Sequence, residues 1–272
     1  MNTMRYAICN ETFGGWEHAR VCDLVAELGY QGLEVAPFTL APSITEVTAL
    51  QRAELRAHAE TAGLKILGLH WLLAKTTGYN LTSPDSEIRK RTGEYFSELA
   101  IAAAELGGDI LVLGSPLQRN VPAGHTYQQA EDYACDTLSH CLKTLEKTDV
   151  KLCLEPLTPK ETDFMNTAAS AVAIIERIGH PMLKLHLDVK AMAAEPQSRE
   201  ATIRAFAEHT YHFHANDENL RGPGTGAIDF NPIFAALRDT NYNGWVSVEV
   251  FDYTPDPETI ARDSIAYMRS CE

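Results

Sequence analysis

In "LKLHLDV", residues 183–189, leucine alternates with Lys184, His186 and Asp188, and the run ends just past the acid. Alternation of this kind marks a strand, and side chains two apart on a strand share a face. His186 and Asp188 therefore point the same way, one layer apart. "REATIRAFAEH" (199–209) follows with helical spacing, and "TYHFHAND" (210–217) returns to a strand that repeats the device, with His212 and His214 on one face. A strand, a helix and a second strand in this order predict a parallel pair joined by a crossover helix.

The same rhythm runs outward in both directions. Toward the C-terminus come "NPIFAALRDTNY" (231–242), the strand "GWVSVEVF" (244–251) and the helix "DPETIARDSIAYMRS" (256–270). Toward the N-terminus the strands are "RYAICNETF" (5–13), "GLEVAPF" (32–38), "LKILGLHWLL" (64–73), "DILVLGSP" (109–116) and "VKLCLEPL" (150–157). Helical stretches separate them. One is expected over 44–63 with Ser43 as N-cap and Gly63 as stop. Another runs over 83–108 with Ser83 as cap and Pro84 in the first helical position, and a single helix covers 126–148. Eight strands alternating with eight helical stretches, with no linker or low-complexity tract, predict an α/β chain folded as one (β/α)8 TIM barrel over residues 1–272. An open doubly wound sheet ranks second, because "NETFGGWEH" lacks the glycine-rich phosphate turn expected after its first strand.

Composition narrows the function classes. The 272 residues carry 23 basic and 37 acidic side chains, a formal net charge of −14. With no basic run to offset it, that charge repels a phosphate backbone, so nucleic acid is excluded as a partner. No apolar run is long enough to cross a bilayer, so no membrane is expected, and the start shows no secretory signal. The six cysteines, Cys9, Cys22, Cys135, Cys141, Cys153 and Cys271, include no C-x-x-C pair, and they read as reduced thiols of a cytoplasmic protein.

In a barrel of this kind the chemistry sits at the C-terminal ends of the strands. Glu155 ends the fifth strand, Asp188 the sixth and His214 the seventh, and Glu249 lies on the eighth. Any one of these alone reads as a loop residue facing water. Four on successive strands aim three carboxylates and an imidazole at one point, and carboxylates so grouped need a proton or a cation between them. Oxygen donors with one imidazole suit Mn²⁺, Mg²⁺ or Co²⁺ better than Zn²⁺. His186 and His212, one layer deeper, are either supports of the site or core histidines. His70 and Glu34 either line the pocket or hydrogen-bond within the barrel. Trp71 and Phe38 read as pocket walls or as core, and Arg119 in "GSPLQRN" either meets an anionic group or, by default, is an exposed loop arginine.

"CLEPL", "HLDV", "HFHANDENLRGPGTGAIDF" and "VSVEVF" together resemble the xylose-isomerase-like TIM-barrel superfamily of sugar isomerases and epimerases. The separations of 33, 26 and 35 residues between Glu155, Asp188, His214 and Glu249 agree with its ketose 3-epimerase branch. The resemblance implies that these four residues hold one divalent ion, usually Mn²⁺, Co²⁺ or Mg²⁺, and that Glu155 and Glu249 are the acid/base pair. It implies a sugar or keto-sugar substrate and a homo-oligomer, dimer or tetramer. Glu161 matches a substrate-contacting glutamate of that branch, and His70 and Arg221 are further expected substrate contacts. Two positions depart from the branch: Ala191 stands where it has a histidine, and Leu220 where it has an arginine, with Arg221 one further on. The expected activity is a metal-dependent isomerisation or epimerisation through an ene-diolate. The alternative is a lyase on the same scaffold, dehydrating keto-polyols or cleaving oxidised glycosides. An apurinic-site endonuclease is disfavoured by the acidic charge, and a non-catalytic sugar-binding protein by the four intact candidate ligands.

Overall fold

Eight parallel strands close on themselves in sequence order in the computed structural model, which describes residues 4–272. They are β1 (Arg5–Cys9), β2 (Gly32–Val35), β3 (Lys65–Leu69), β4 (Ile110–Leu113), β5 (Lys151–Leu154), β6 (Leu183–Asp188), β7 (Thr210–Ala215) and β8 (Trp245–Val248). The pairing of β8 with β1, Arg5 opposite Trp245 through Ile8 opposite Val248, completes the ring. Among the described residues nine helices cover its outside: α1 (His18–Glu27), α2 (Ala49–Thr61), α3 (Ser86–Glu105), α4 (Tyr127–Ser139), α5 (Leu142–Thr148), α6 (Ala168–Ile178), α7 (Arg199–Ala205), α8 (Asn231–Asp239) and α9 (Pro257–Ser270). Among the described residues no helix is long and apolar enough to cross a membrane.

Three helical boundaries differ from expectation, each for a local reason. The helix expected to start at Ser43 starts at Ala49. Ser43 caps only a single 3-10 turn, Ile44–Glu46, and Val47 is extended, so Thr48 and Gln51 form the reciprocal capping box that opens α2. At α3 the cap is Asp85, which accepts from the Glu87 amide at 2.9 Å, while Ser83 accepts from the Asp85 amide one turn earlier. The helix expected over 126–148 is two helices. The amides of His140 and Cys141 bond to Thr137 O and Leu138 O, three residues back, and this tightening ends α4 before α5 begins.

Strand alternation sorts the interior into layers. Tyr6, Ile8, Ile66, Leu111, Leu113, Leu152, Leu154 and Val246 face the helices in the main core. Their neighbours Ala7, Leu67, Ile110, Val112, Cys153 and Trp245 form a separate apolar cluster on the opposite face, inside the ring. This plug fills the barrel, so side chains two positions further along each strand are lifted toward its C-terminal mouth. Cys153 leads to Glu155, and Trp245 leads through Ser247 to Glu249. On β6 and β7, His186 pairs in register with His212 and Asp188 with His214, so two polar rows stack in order.

Gly68 on β3 lies against β4 with no room for a side chain: a β-carbon there would stand 1.8 Å from Ile110 O. Gly68→Ala is expected to cost about 3 kcal/mol of unfolding free energy, measurable as a lowered urea midpoint at unchanged m-value.

Candidate active site

The structure brings Glu155, Asp188, His214 and Glu249 together. One donor atom from each lies within 4.8 Å of the others, and all four residues are buried. Each arrives by the same route, from the end of a strand onto the inner face. Close approach is built in at β4, where a β-carbon on Gly114 would stand 1.7 Å from Glu155 Oε2. Only glycine leaves that carboxylate its space.

The surrounding bonds fix three of the four side chains. Asp188 accepts from the Ala191 amide at 2.7 Å and from Asn216 Nδ2 at 2.5 Å. Glu249 accepts from Trp71 Nε1 at 2.6 Å, and its other oxygen lies 3.2 Å from His214 Nδ1. His214 Nε2 faces both oxygens of Glu34 at 3.2 Å, and His212 Nε2 faces Glu34 Oε2 at 2.8 Å. With Nε2–H donated to Glu34, loss of the Nδ1 proton would turn a lone pair of His214 to the cluster, the tautomer a metal-ligating histidine needs. Among the described residues, none donates a hydrogen bond to the Glu155 carboxylate.

Electrostatics follow from this arrangement. Burial, and then the charges of Glu249 and Asp188, push the Glu155 carboxyl well above its ordinary value. Burial and Glu249 raise Asp188 in the same way. For Glu249 the burial effect is outweighed by His214 and the Trp71 N–H, and its proton is held less tightly than usual. Burial alone would make His214 less basic, but the Glu34 and Glu249 carboxylates reverse this and raise it well above the usual imidazole range. Burial would likewise raise Glu34, and the His212 and His214 imidazoles overcome it. These are the shifts of a cluster that takes up protons when no cation neutralises it. Three carboxylates and one imidazole, with the second imidazole nitrogen held by a further carboxylate, form a donor set that fits a hard or intermediate divalent cation.

The other expected residues fall in several places. His212 touches Glu34 and so supports His214 through it. His186 is fully buried, neither ring nitrogen has a partner among the described residues, and its ring lies 4.1 Å from that of His214. His70 is also fully buried, bonded to Glu11 Oε2 at 2.9 Å, with its Nδ1 3.8 Å from Glu34. Glu161 is paired with Lys190 at 2.7 Å and accepts from Thr158. Arg221 is partly exposed and bonded to Asp252 at 2.7 Å. The reading of Arg119 as an exposed loop residue is corrected: its side chain is fully buried, and Nη1 donates to Glu155 O at 2.7 Å and to Leu113 O at 3.3 Å. Burial lowers its pKa to about 10.

Sequence reasoning passed over Glu11, Asn216 and Lys190. The last two carried a usable signal. Lys190 is two residues beyond Asp188, and Asn216 two beyond His214, so strand alternation continues onto them. Glu11 sits in a 3-10 turn after β1, where no periodicity points to it.

A family model described as the xylose isomerase-like TIM barrel matches residues 22–271 of the chain. The D-psicose 3-epimerase of Agrobacterium fabrum is 31% identical over 246 residues, spanning 87% of this chain and 82% of that protein. The 3-dehydro-D-guloside 4-epimerase of Escherichia coli is 28% identical over 257 residues, spanning 91% of this chain and 92% of that protein. Among solved structures, a D-psicose 3-epimerase with D-tagatose from Clostridium cellulolyticum superposes with a TM-score of 0.85 over 98% of this chain and 99% of that chain. Its identity is 23%, so this likeness concerns the fold.

Glu34 orients His214 from the far side of the barrel. Glu34→Gln is expected to weaken divalent-cation binding at the cluster by roughly 10–100-fold without unfolding the protein, as read by titration calorimetry beside circular dichroism.

Proposed function

The chain belongs to the xylose isomerase-like TIM-barrel family and is a sugar isomerase/epimerase, and we propose that it epimerises a keto-sugar with Glu155 and Glu249 as the proton-moving pair. The names of its relatives include a psicose epimerase, a ribulose epimerase and a guloside epimerase. What these substrates share is a carbonyl beside a carbon that bears hydrogen and hydroxyl.

The observation that carries the reading is the placement of two carboxylates just past the ends of β5 and β8, flanking the two donors on β6 and β7. Carboxylates on different sides of a bound sugar reach opposite faces of one carbon. One takes the proton beside the carbonyl, and the other delivers a proton to the opposite face, which inverts the centre. Their surroundings separate the two roles. Glu249 receives the Trp71 N–H and faces His214, which favours its charged form and suits it to accept a proton. Glu155 has no such donors, and its burial favours the protonated form that can give one. In the reverse direction the roles exchange.

Glu155, Asp188, His214 and Glu249 would hold one divalent cation, for which Mn²⁺ is the first candidate and Co²⁺ or Mg²⁺ the others. Such a cation supplies Lewis-acid stabilisation of the negative charge that develops on the substrate oxygens. The chain's own residues set its binding conditions. Glu155, Asp188 and His214 all have raised pKa values without the cation, so ligation must displace protons. The six unpaired cysteines fit a reducing compartment such as the cytoplasm.

Glu249→Gln is expected to lower kcat by roughly 10²–10⁴-fold while the protein stays folded, with parallel loss of deuterium uptake from D₂O at the epimerised carbon. Exhaustive chelation should abolish turnover, and Mn²⁺ or Co²⁺ should restore it. Turnover that survives chelation would sink the reading. Because bound protons compete with the cation, apparent Mn²⁺ affinity should rise as pH is raised and fall as it is lowered. Calorimetry in buffers of different ionisation enthalpy should show protons released on binding.

A further inference from the structure

The loops that follow β5, β6 and β8 meet at one side chain, that of Lys190. Its amide donates to Asn216 Oδ1 at 2.9 Å, and Asn216 Nδ2 donates to Asp188 Oδ2 at 2.5 Å, so the side chain starts from a fixed point beside the four-donor cluster. Nζ reaches Glu161, on the loop after β5, at 2.7 Å. It also lies 4.2 Å from the ring centre of Phe251, on the loop after β8. The Phe251 ring packs 5.9 Å from that of Trp71, the donor to Glu249. The ammonium is thus held at the barrel mouth by the two loops that continue from Glu155 and Glu249.

An ion pair at a surface adds little stability, and this one immobilises two long side chains across an opening. Glu161 is braced from behind, because its Oε2 accepts from Thr158 N at 3.1 Å and from Thr158 Oγ1 at 2.8 Å. Its Oε1 is left to steady the ammonium. A lysine ammonium has three N–H donors. Glu161 takes one, and the face of Phe251 attracts the cation. Among the described residues no other acceptor engages Nζ. The remaining cations near the mouth are committed elsewhere. Arg221 holds Asp252, Lys75 lies on the Phe38 ring, and Arg119 is spent on main-chain carbonyls. Glu161 and Lys190 together carry no net charge. They suit an uncharged oxygen, because a carboxylate or phosphate on Nζ would stand close to the Glu161 carboxylate and be repelled.

We propose that Lys190 is a substrate-binding residue, whose ammonium donates to a sugar hydroxyl oxygen outside the reacting carbon while Glu161 holds it in place. This rests on the epimerase reading and adds the group that grips the substrate from the β6 side. The contact fixes the sugar so that the carbon to be inverted stays between Glu155 and Glu249.

The test uses the metal-loaded enzyme with D-psicose, D-tagatose and L-ribulose, read by turnover and by deuterium uptake from D₂O. Lys190→Met, checked for folding by circular dichroism, should raise KM about tenfold and change kcat by less than about threefold. Calorimetry should show its Mn²⁺ binding not weakened. Lys190→Arg keeps the charge and should recover part of the lost affinity. Monodeoxy analogues of the ketose that exchanges fastest locate the contact. One of them should lose about tenfold in kcat/KM with the unaltered enzyme and less than about twofold with Lys190→Met, the non-additivity of a direct contact. A KM unchanged in Lys190→Met, a loss of Mn²⁺ affinity that matches the rise in KM, or equal losses for every analogue in both proteins overturns the proposal alone. No deuterium uptake by the unaltered enzyme with any of the three ketoses overturns the epimerase reading beneath it.

Discussion

Three carboxylates within 4.8 Å of one another cannot all stay charged inside a protein without a compensating positive charge. At an effective dielectric of about 20, each pair repels by about 3 kcal/mol. Summed over the cluster this approaches the whole folding stability of an ordinary domain, about 5–15 kcal/mol. Either protons or a cation must enter. Much of the barrel interior is organised around that requirement: His214 is aimed at the cluster, Glu34 is buried behind it, and Asn216 and the Ala191 amide hold Asp188 in place. A barrel built only for stability has no use for this expense, because apolar side chains of similar volume would fill the space at no electrostatic cost.

The supports are unequal, and this separates the two glutamates. Glu249 is held by an indole N–H and faces an imidazole, whereas Glu155 is held through its main chain, where the buried guanidinium of Arg119 takes the carbonyl oxygen. One carboxylate is tuned by donors to its side chain. The other is positioned by its backbone, and its side chain is left free to change protonation.

Much of this was legible in the sequence. The barrel follows from alternation and helical spacing, because both periods are properties of the local chain. The cluster follows from strand register, because Glu155, Asp188, His214 and Glu249 all occupy the inward parity at a strand's end. Three kinds of feature were not legible. Helix starts depend on competition between neighbouring caps, as at Ser43 against Thr48 and Ser83 against Asp85. Arg119 sits in a loop whose polar sequence suggests solvent, and only the folding of that loop over β4 and β5 buries it. Glu11 follows β1 in a 3-10 turn where alternation has ended, and Trp71, read as a pocket wall or core, has a left-handed backbone (φ 53°) that turns its indole N–H to Glu249. No pattern in the linear chain says which way such side chains point.

The bridge from Glu34 to His212 and His214 spans 178 and 180 residues of chain and crosses the barrel from β2 to β7. Contacts so remote in sequence form only after the intervening loops have closed, and such pairings come slowly. Neither half of the chain holds a complete site: the four cluster donors lie in the second half, while Glu34, Trp71 and Glu11 lie in the first. A nascent or truncated half-barrel thus lacks the means to organise its own acids, and competence arises only when the last strand meets the first and the circle is whole.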